Sequence, residues 1–417
     1  MSASTPPDLR VGIVGYGVMG KAHSYGYRVA PLLRRLPVTP VVTVMSGRDA
    51  GAVAAAAQAY GVPVTVTDWR ELISRDDVDV VDICTPPGTH AQIAQEAAAA
   101  GKAVLCEKPL ALTYAEAAAA LDAVTRAGVH NAVGFNYRRL PAIALMRRMI
   151  AEGVVGEVRL WRATWLSDEF ADPATPWDWR FDRAMGGTTI ADLGSHLIDM
   201  ALCMAGPVDS VCAQATTFIG SRPAPGGGTA TVTVDDAASA LLRFSSGARG
   251  TLEVARAAVR RPGDFTVEVN GSRGTLMFSY ARLNELWYGD SDDDIRLYGM
   301  RRIRAEHPSH PYAAQWWPIG QGVGYGSSFA NQAADLLEGW PDAPWSPGFR
   351  DGAAVQAVCD AMETSAASGR WISVDEVTAI SPSVTLCNYA ITICGIVGAY
   401  ETGSRAVVWA CRPRSDG

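Results

Sequence analysis

The residues best able to do chemistry fall in two short stretches. One is Glu107-Lys108-Pro109, directly after the apolar run Val104-Leu105-Cys106. A strand that stops on a charged pair presents it at its carboxyl end, where open α/β sheets place their ligands. Of the 36 lysine and arginine residues, only Lys21, Lys102 and Lys108 are lysines. Arginine keeps its proton near neutral pH, whereas a desolvated lysine can release one. Lys108 is therefore a candidate acid or base, with an ordinary surface lysine on a turn as the plain alternative. The second stretch runs Asp192-Leu193-Gly194-Ser195-His196-Leu197-Ile198-Asp199. On a helix Asp192, His196 and Asp199 share one face, and a carboxylate one turn from a histidine orients its ring and raises its basicity. The alternative is a helix-start cap beside a hydrogen-bonded core histidine. The same pair could ligate a metal, but no third ligand stands at a suggestive spacing, and no metal is expected.

These groups need elements to hold them and a cofactor beside them. The β-branched run Leu9–Val14 is followed at once by Gly15-Tyr16-Gly17-Val18-Met19-Gly20 and then a helical stretch. That is G-x-G-x-x-G between strand and helix, a pattern that lets a pyrophosphate approach backbone N–H groups at the helix start. The second strand, Pro40–Met45, ends in Ser46-Gly47-Arg48-Asp49. An NAD site usually carries an acid there for the ribose 2′-hydroxyl. A hydroxyl (Ser46) and a guanidinium (Arg48) suit the extra phosphate of NADP instead, so the expected cofactor is NADP or NAD, with a lean to NADP. Arg48 facing solvent while Asp49 caps the next helix is the competing reading. Further strands at Val62–Val66, Val78–Cys84, Val104–Cys106 and His130–Phe135 alternate with helices. This predicts a doubly wound parallel sheet, a Rossmann domain, over residues 1–135. The loop Thr85-Pro86-Pro87-Gly88-Thr89-His90 lies at a strand's carboxyl end and is placed to line the cofactor. His90 either caps, packs or touches it.

After Phe135 the pattern changes. Strand-like runs follow without helices between them, at Glu157–Trp165, Val208–Phe218, Ala237–Phe244, Arg249–Arg256, Thr266–Asn270 and Gly274–Tyr280. Helices are expected at Ala142–Glu152, Ile190–Met204, Ser328–Glu338 and Phe349–Ser368. Residues 136–380 thus form an α+β domain with a large, mostly antiparallel sheet. Its aromatic stretches, around Trp177 and Trp179 and at His310-Pro311-Tyr312, suit the apolar face and hydroxyl edges of a sugar, or else serve as core. Residues 381–417 form an appended tail of unknown role.

Hydrophobic residues at 48% and charged residues at 19% exclude a disordered chain. A net charge of −7 with scattered basic residues argues against a nucleic-acid partner. The start of the chain lacks a signal-peptide pattern, the tail's apolar run is short for a membrane span, and the eight cysteines show no C-x-x-C pair. A reducing cytoplasm is the expected location.

Taken together, G-x-G-x-x-G, Glu107-Lys108-Pro109 and Asp192-x-Gly-x-His196-x-x-Asp199 resemble the Gfo/Idh/MocA oxidoreductases over residues 9 to about 378. Gly20-Lys21-Ala22-His23-Ser24, Asn136-Tyr137-Arg138-Arg139, Trp179-Arg180-Phe181 and His310-Pro311-Tyr312 are similar to its glycoside 3-dehydrogenase-like members. The resemblance implies hydride transfer between a ring carbon of a sugar, glycoside or polyol and nicotinamide. It implies Lys108, Asp192 and His196 as the catalytic set. Tyr137, Arg138, Trp179 and Tyr312 would join them around the substrate, and Glu107 would stand by the cofactor. It also implies a cis Lys108-Pro109 bond and a homodimer or homotetramer. A biosynthetic keto-sugar reductase using NADPH and a non-catalytic dinucleotide-binding regulator are the alternatives.

Overall fold

The computed structural model describes residues 6–379; the tail expected at 381–417 lies outside them. Six parallel strands open the chain: β1 (Asp8–Val14), β2 (Thr39–Ser46), β3 (Val64–Val66), β4 (Val80–Ile83), β5 (Ala103–Cys106) and β6 (Asn131–Val133). Their order is β3-β2-β1-β4-β5-β6. The connecting helices are α1 (Val18–Leu33), α2 (Ala50–Tyr60), α3 (Trp69–Ile73), α4 (His90–Ala99) and α5 (Tyr114–Ala127). The order reverses between β1 and β4, which opens a crevice at the strand carboxyl ends. The central strands β4 and β5 are buried on both faces, so β5 is a continuous apolar run and β4 is apolar apart from the buried Asp82.

Helix α6 (Pro141–Ala151) leads to a second, nine-stranded sheet. It comprises β7 (Val158–Ser167), β8 (Val208–Thr216), β11 (Ala237–Phe244), β12 (Arg249–Ala255), β13 (Pro262–Gly271), β14 (Gly274–Ser279), β15 (Glu285–Asp290), β16 (Arg301–Arg304) and β17 (Ile372–Ser373). A separate small hairpin pairs β9 (Ser221–Pro223) with β10 (Thr229–Thr231). The large sheet is antiparallel apart from the β7–β12 pair. Along β7, Trp161, Ala163 and Trp165 face the core, while Leu160 stays 41% exposed on the open face. Helices α7 (Ser195–Ala205) and α9 (Phe349–Ser368) cover the inner face, and α10 (Val374–Thr378) closes the described chain. Strands β15 and β16 are not expected from the residue pattern. They flank a run of aspartates and arginines with no alternation, and β16 is an edge strand.

Helix α8 (Gly326–Glu338) returns to the first sheet. Its Ala333, Ala334, Leu336 and Leu337 share a core with Leu9, Val11, Ile13 and Tyr27, so the Rossmann half is finished by residues from far along the chain. Its Phe329 packs 5.6 Å from the His23 ring. The amide of Val133 then donates to Pro347 O at 2.9 Å, anchoring the edge strand.

Candidate active site

At the start of α1, Gly15 and Gly20 are steric necessities. Gly15 has φ +108°, and a Cβ there would lie 2.5 Å from Cys84 O. The first-turn N–H groups of α1 have no side-chain cap, and Gly17 borders open space, so the turn can cradle a pyrophosphate. Val18 is 72% exposed beside it, and Tyr16 and Met19 are half-buried. At the end of β2, Ser46 is buried and Arg48 is exposed without a side-chain partner among the described residues. Asp49 caps α2 through the Ala52 amide at 2.8 Å. Gly47 lies against the Tyr16 ring, only 2.2 Å from where its Cβ would stand. In the β4–α4 loop Thr85 accepts from Thr89 Oγ1 at 2.7 Å, and Pro86 precedes a short 3-10 turn.

His90 is a correction to the sequence reading. Its side chain is wholly buried, with Nδ1 2.8 Å from Pro109 O and Nε2 2.7 Å from Thr85 O. Burial pushes its pKa down. It ties the β4 loop to the Lys108-Pro109 turn and leaves its ring nothing to offer a cofactor.

The Lys108-Pro109 bond is cis, as the resemblance implied. Lys108 Nζ donates to Asp192 Oδ1 and to the Asp192 carbonyl, both at 2.9 Å. Asp192 sits in a π-helical turn, Ile190–Gly194, that runs into α7. Such a turn departs from the i→i−4 hydrogen-bond ladder, and here a carbonyl within it accepts from Lys108. Burial alone would raise the Asp192 pKa, but Lys108 and then Arg256 hold it below the usual carboxylate range. His196 follows in α7. Its ring stacks on Trp165 (centroids 5.4 Å apart) and meets the edge of Tyr137 at 4.7 Å. Neither ring nitrogen has a hydrogen-bond partner among the described residues. Burial, and then Lys108, push its pKa well below 6.5. The site thus pairs a held cation with a neutral, unengaged imidazole.

Two expected substrate residues, Arg138 and Tyr312, are placed elsewhere. Arg138 is buried against Asp199, Nε to Oδ2 at 2.8 Å, with Asp351 at 3.2 Å. That also removes Asp199 from the catalytic face: the π turn shifts the helix register, so only Asp192 and His196 face the crevice. The Tyr312 hydroxyl donates to Asp335 Oδ2 at 2.7 Å, in an ion cluster with Arg139 and Arg34. Arg138 is 7% exposed and held by two carboxylates, and the Tyr312 phenol spends its one proton on Asp335, so neither is presented to the crevice as a sugar ligand. Tyr137 lines the site through its ring, and Trp179 is half-buried under the Arg180 guanidinium, 4.4 Å from its ring centre.

The sequence reading missed His23 and Arg256. His23 lies one turn past the glycine motif, with Nδ1 2.9 Å from Asp82 and Nε2 2.9 Å from Glu107. The ligand atoms of His23, Asp82 and Cys84 lie within 4.8 Å of one another, but both ring nitrogens are already spent on carboxylates. The group is therefore an ion-pair network. Glu107 is 3% exposed and belongs to this network rather than to the crevice surface. A signal for Arg256 was present: it follows Leu252 and Val254 at period two, an arginine at an inward position.

Fold and crevice define an oxidoreductase with a nicotinamide-dinucleotide Rossmann domain. Residues 9–135 match the oxidoreductase family with an NAD-binding Rossmann fold, and residues 143–277 match the GFO/IDH/MocA C-terminal domain. The chain belongs to the Gfo/Idh/MocA family. Levoglucosan dehydrogenase of Pseudarthrobacter phenanthrenivorans is 38% identical over 89% of this chain and 100% of its own. D-apiose dehydrogenase of Paraburkholderia graminis is 28% identical over 92% of this chain and 94% of its own. A levoglucosan dehydrogenase solved with NADH and L-sorbose has a TM-score of 0.86 at 39% identity, covering 88% of this chain and 99% of that one. An oxidoreductase domain protein from Kribbella flavida also has a TM-score of 0.86, at 44% identity, covering 88% of this chain and 99% of that one. These relatives support NAD; the lean to NADP finds no support in them.

Proposed function

We propose that the protein oxidises a ring hydroxyl of a sugar, an anhydrosugar or glycoside above all, with NAD as acceptor. The observation that carries this reading is Lys108 fixed 2.9 Å from Asp192 Oδ1 beside a His196 without a hydrogen-bond partner. The levoglucosan, apiose and inositol dehydrogenases among its relatives support the substrate class.

The nicotinamide ring, when bound, accepts the hydride. The α1 turn, the Thr85-Pro86 loop and the Ser46–Arg48 strand end would hold the dinucleotide. His196, neutral at pH 7, takes the proton of the reacting hydroxyl. Lys108 spends two of its three donors on Asp192 and turns the third to the sugar oxygen, stabilising charge as the carbonyl forms. Asp192 fixes Lys108 in that pose. The half-buried Trp179 ring offers an apolar surface to the sugar, while Trp165 and Tyr137 hold the His196 ring in place. We also assign the open face of the large sheet, where Leu241 is 51% exposed, to a homodimer or homotetramer contact. Free thiols at Cys84, Cys106, Cys203, Cys212 and Cys359 support a reducing, cytoplasmic setting. Among the described residues no helix is long and apolar enough to cross a membrane.

The test follows reduced-nicotinamide formation with NAD or NADP and a panel of levoglucosan, glucosides and inositols, with Lys108→Ala as control. Turnover that vanishes in the variant supports the dehydrogenase. Reduction of keto-sugars alone would replace it with the reductase, and dinucleotide binding without any turnover with the regulator. Arg48→Ala, assayed with both dinucleotides, reports whether that guanidinium admits NADP as a second acceptor.

A further inference from the structure

The Asp192 carboxylate has two sides, and only one belongs to Lys108. Behind the other stands Arg256, immediately after β12 and 1% exposed. Its Nη1 lies 3.8 Å from Asp192 Oδ2, and its Nη2 donates to Asp235 O at 3.2 Å. Its guanidinium carbon lies 5.1 Å from the Phe170 ring centre. Nε and Nη1 are buried without a hydrogen-bond partner. Burying a guanidinium with unmet donors is costly, so the charge must be compensated by something nearby. Asp192 is the carboxylate that comes within 4 Å of its guanidinium, and Asp235 and Glu169 lie farther off within its field. Arg256 is too buried to meet a sugar, so any effect it has on the reaction passes through Asp192.

We propose that Arg256 is a positioning residue that keeps Asp192 a charged, fixed acceptor for Lys108 throughout turnover. The inference rests on the role given to Asp192 above. Lys108 interacts with reacting oxygen atoms and its charge environment changes as the sugar is oxidised. An arginine cannot lose its proton near neutral pH, so it supplies Asp192 with a constant counter-charge. The groups facing Asp192 are Lys108 from the end of β5, Arg256 from beyond β12, Arg180 from the turn at 179–181, Glu169 from beyond β7 and His196 from α7. Arg256 itself faces Asp235 and Arg222 on its far side. Of the cations around Asp192, Lys108 contacts the substrate and Arg180 is half-exposed; Arg256 is the one sealed in protein.

The test is a cycle in the full-length enzyme: Arg256→Met, Arg256→Lys, Asp192→Asn and the Arg256→Met/Asp192→Asn double variant. Each is assayed for kcat, both KM values, the pH profile of kcat/KM, and dinucleotide binding by fluorescence. Arg256→Met is expected to lower kcat roughly 10- to 100-fold with dinucleotide binding retained, and to add a second acid limb, that of Asp192, below that of His196 as Asp192 becomes easier to protonate. Arg256→Lys recovers part of the loss. In the Asp192→Asn background, Arg256→Met adds less than about twofold. Full additivity, or an unmoved pH profile, overturns the proposal and makes Arg256 a packing residue. If Arg256→Met does not fold, Arg256→Lys decides: a partial loss of kcat that the Asp192→Asn background absorbs supports charge holding, and wild-type kcat, or a loss that Asp192→Asn does not absorb, sinks it. Asp192→Asn with undiminished turnover would instead overturn the site reading itself.

Discussion

His23 Nε2 lies 2.9 Å from Glu107 Oε1, while Nδ1 of the same ring lies 2.9 Å from Asp82. One imidazole in α1 thereby clamps the carboxyl ends of β4 and β5, the strand ends from which the cofactor loop and Lys108 depart. Tyr27 adds a hydroxyl to Asp82 at 2.9 Å. Burial alone would lower the His23 pKa, but Asp82 and its hydrogen bond raise it well above 6.5.

A raised histidine pKa makes a signed prediction. The stability His23 contributes is fully present below its unfolded pKa of about 6.5 and is lost as pH rises through the folded value. His23→Asn removes the cation and strands two buried carboxylates, at a cost of about 3–5 kcal/mol. Urea unfolding at pH 6 and at pH 9 checks this: the variant should be markedly weaker at pH 6, and the gap should narrow at alkaline pH.

The His196 shift runs the other way, and its consequence is catalytic. His196, in the role of base proposed above, would work when neutral, and its folded pKa is depressed well below 6.5 by burial and by Lys108. Sugar oxidation should therefore hold its His196-dependent rate down through pH 6.5 and lose it only at lower pH. His196→Asn should lower kcat by about 10²–10⁴ while leaving the KM for the dinucleotide within roughly twofold. Steady-state kinetics from pH 5 to 9 would decide; an acid limb centred above pH 7 that disappears in the variant would refute it.

Asp360, in α9, caps α5 from a distance, accepting from the Tyr114 amide at 2.7 Å and from Gln356 at 2.8 Å. Burial raises its pKa to about 6. An acid with a raised folded pKa binds its proton more tightly in the fold, so stability falls as pH rises from about 4 to 6. Two pKa units correspond to at most about 3 kcal/mol. Asp360→Asn should flatten that slope and be no less stable than the parent at pH 8, read by thermal melts across the interval.

Gly47 has no room for a side chain beside Tyr16. Gly47→Ala should push the Tyr16 ring toward the dinucleotide turn and raise the KM for NAD roughly tenfold, equivalent to about 1.4 kcal/mol. The KM for the sugar at saturating NAD should not move. Equal loss of both would show a general disturbance of the domain.

Much of this protein is written locally. The runs around Val11, Val81 and Val104 are dominated by apolar residues because their strands are buried on both faces, so strand, glycine turn and helix could be read in order. The span of α9 matches its expected bounds, Phe349–Ser368, because a glycine follows it as a left-handed cap. Glu107-Lys108-Pro109 and Asp192-x-x-x-His196 announce themselves because their residue types are scarce or costly where they stand. Partner choice is not local. The resemblance put Arg138 and Tyr312 among the sugar ligands, and only tertiary structure sets Asp199 and Asp335 against them. The π turn at 190–194 leaves no mark in hydrophobic period, yet it separates Asp192 from Asp199 and aims a carbonyl at Lys108. His23 and Arg256 gain their roles from neighbours 84 and 64 residues away. Sequence therefore determined which elements form and which side chains could react. The fold decided which charges meet, because the ion pairs that hold the site join residues with no relation of spacing along the chain.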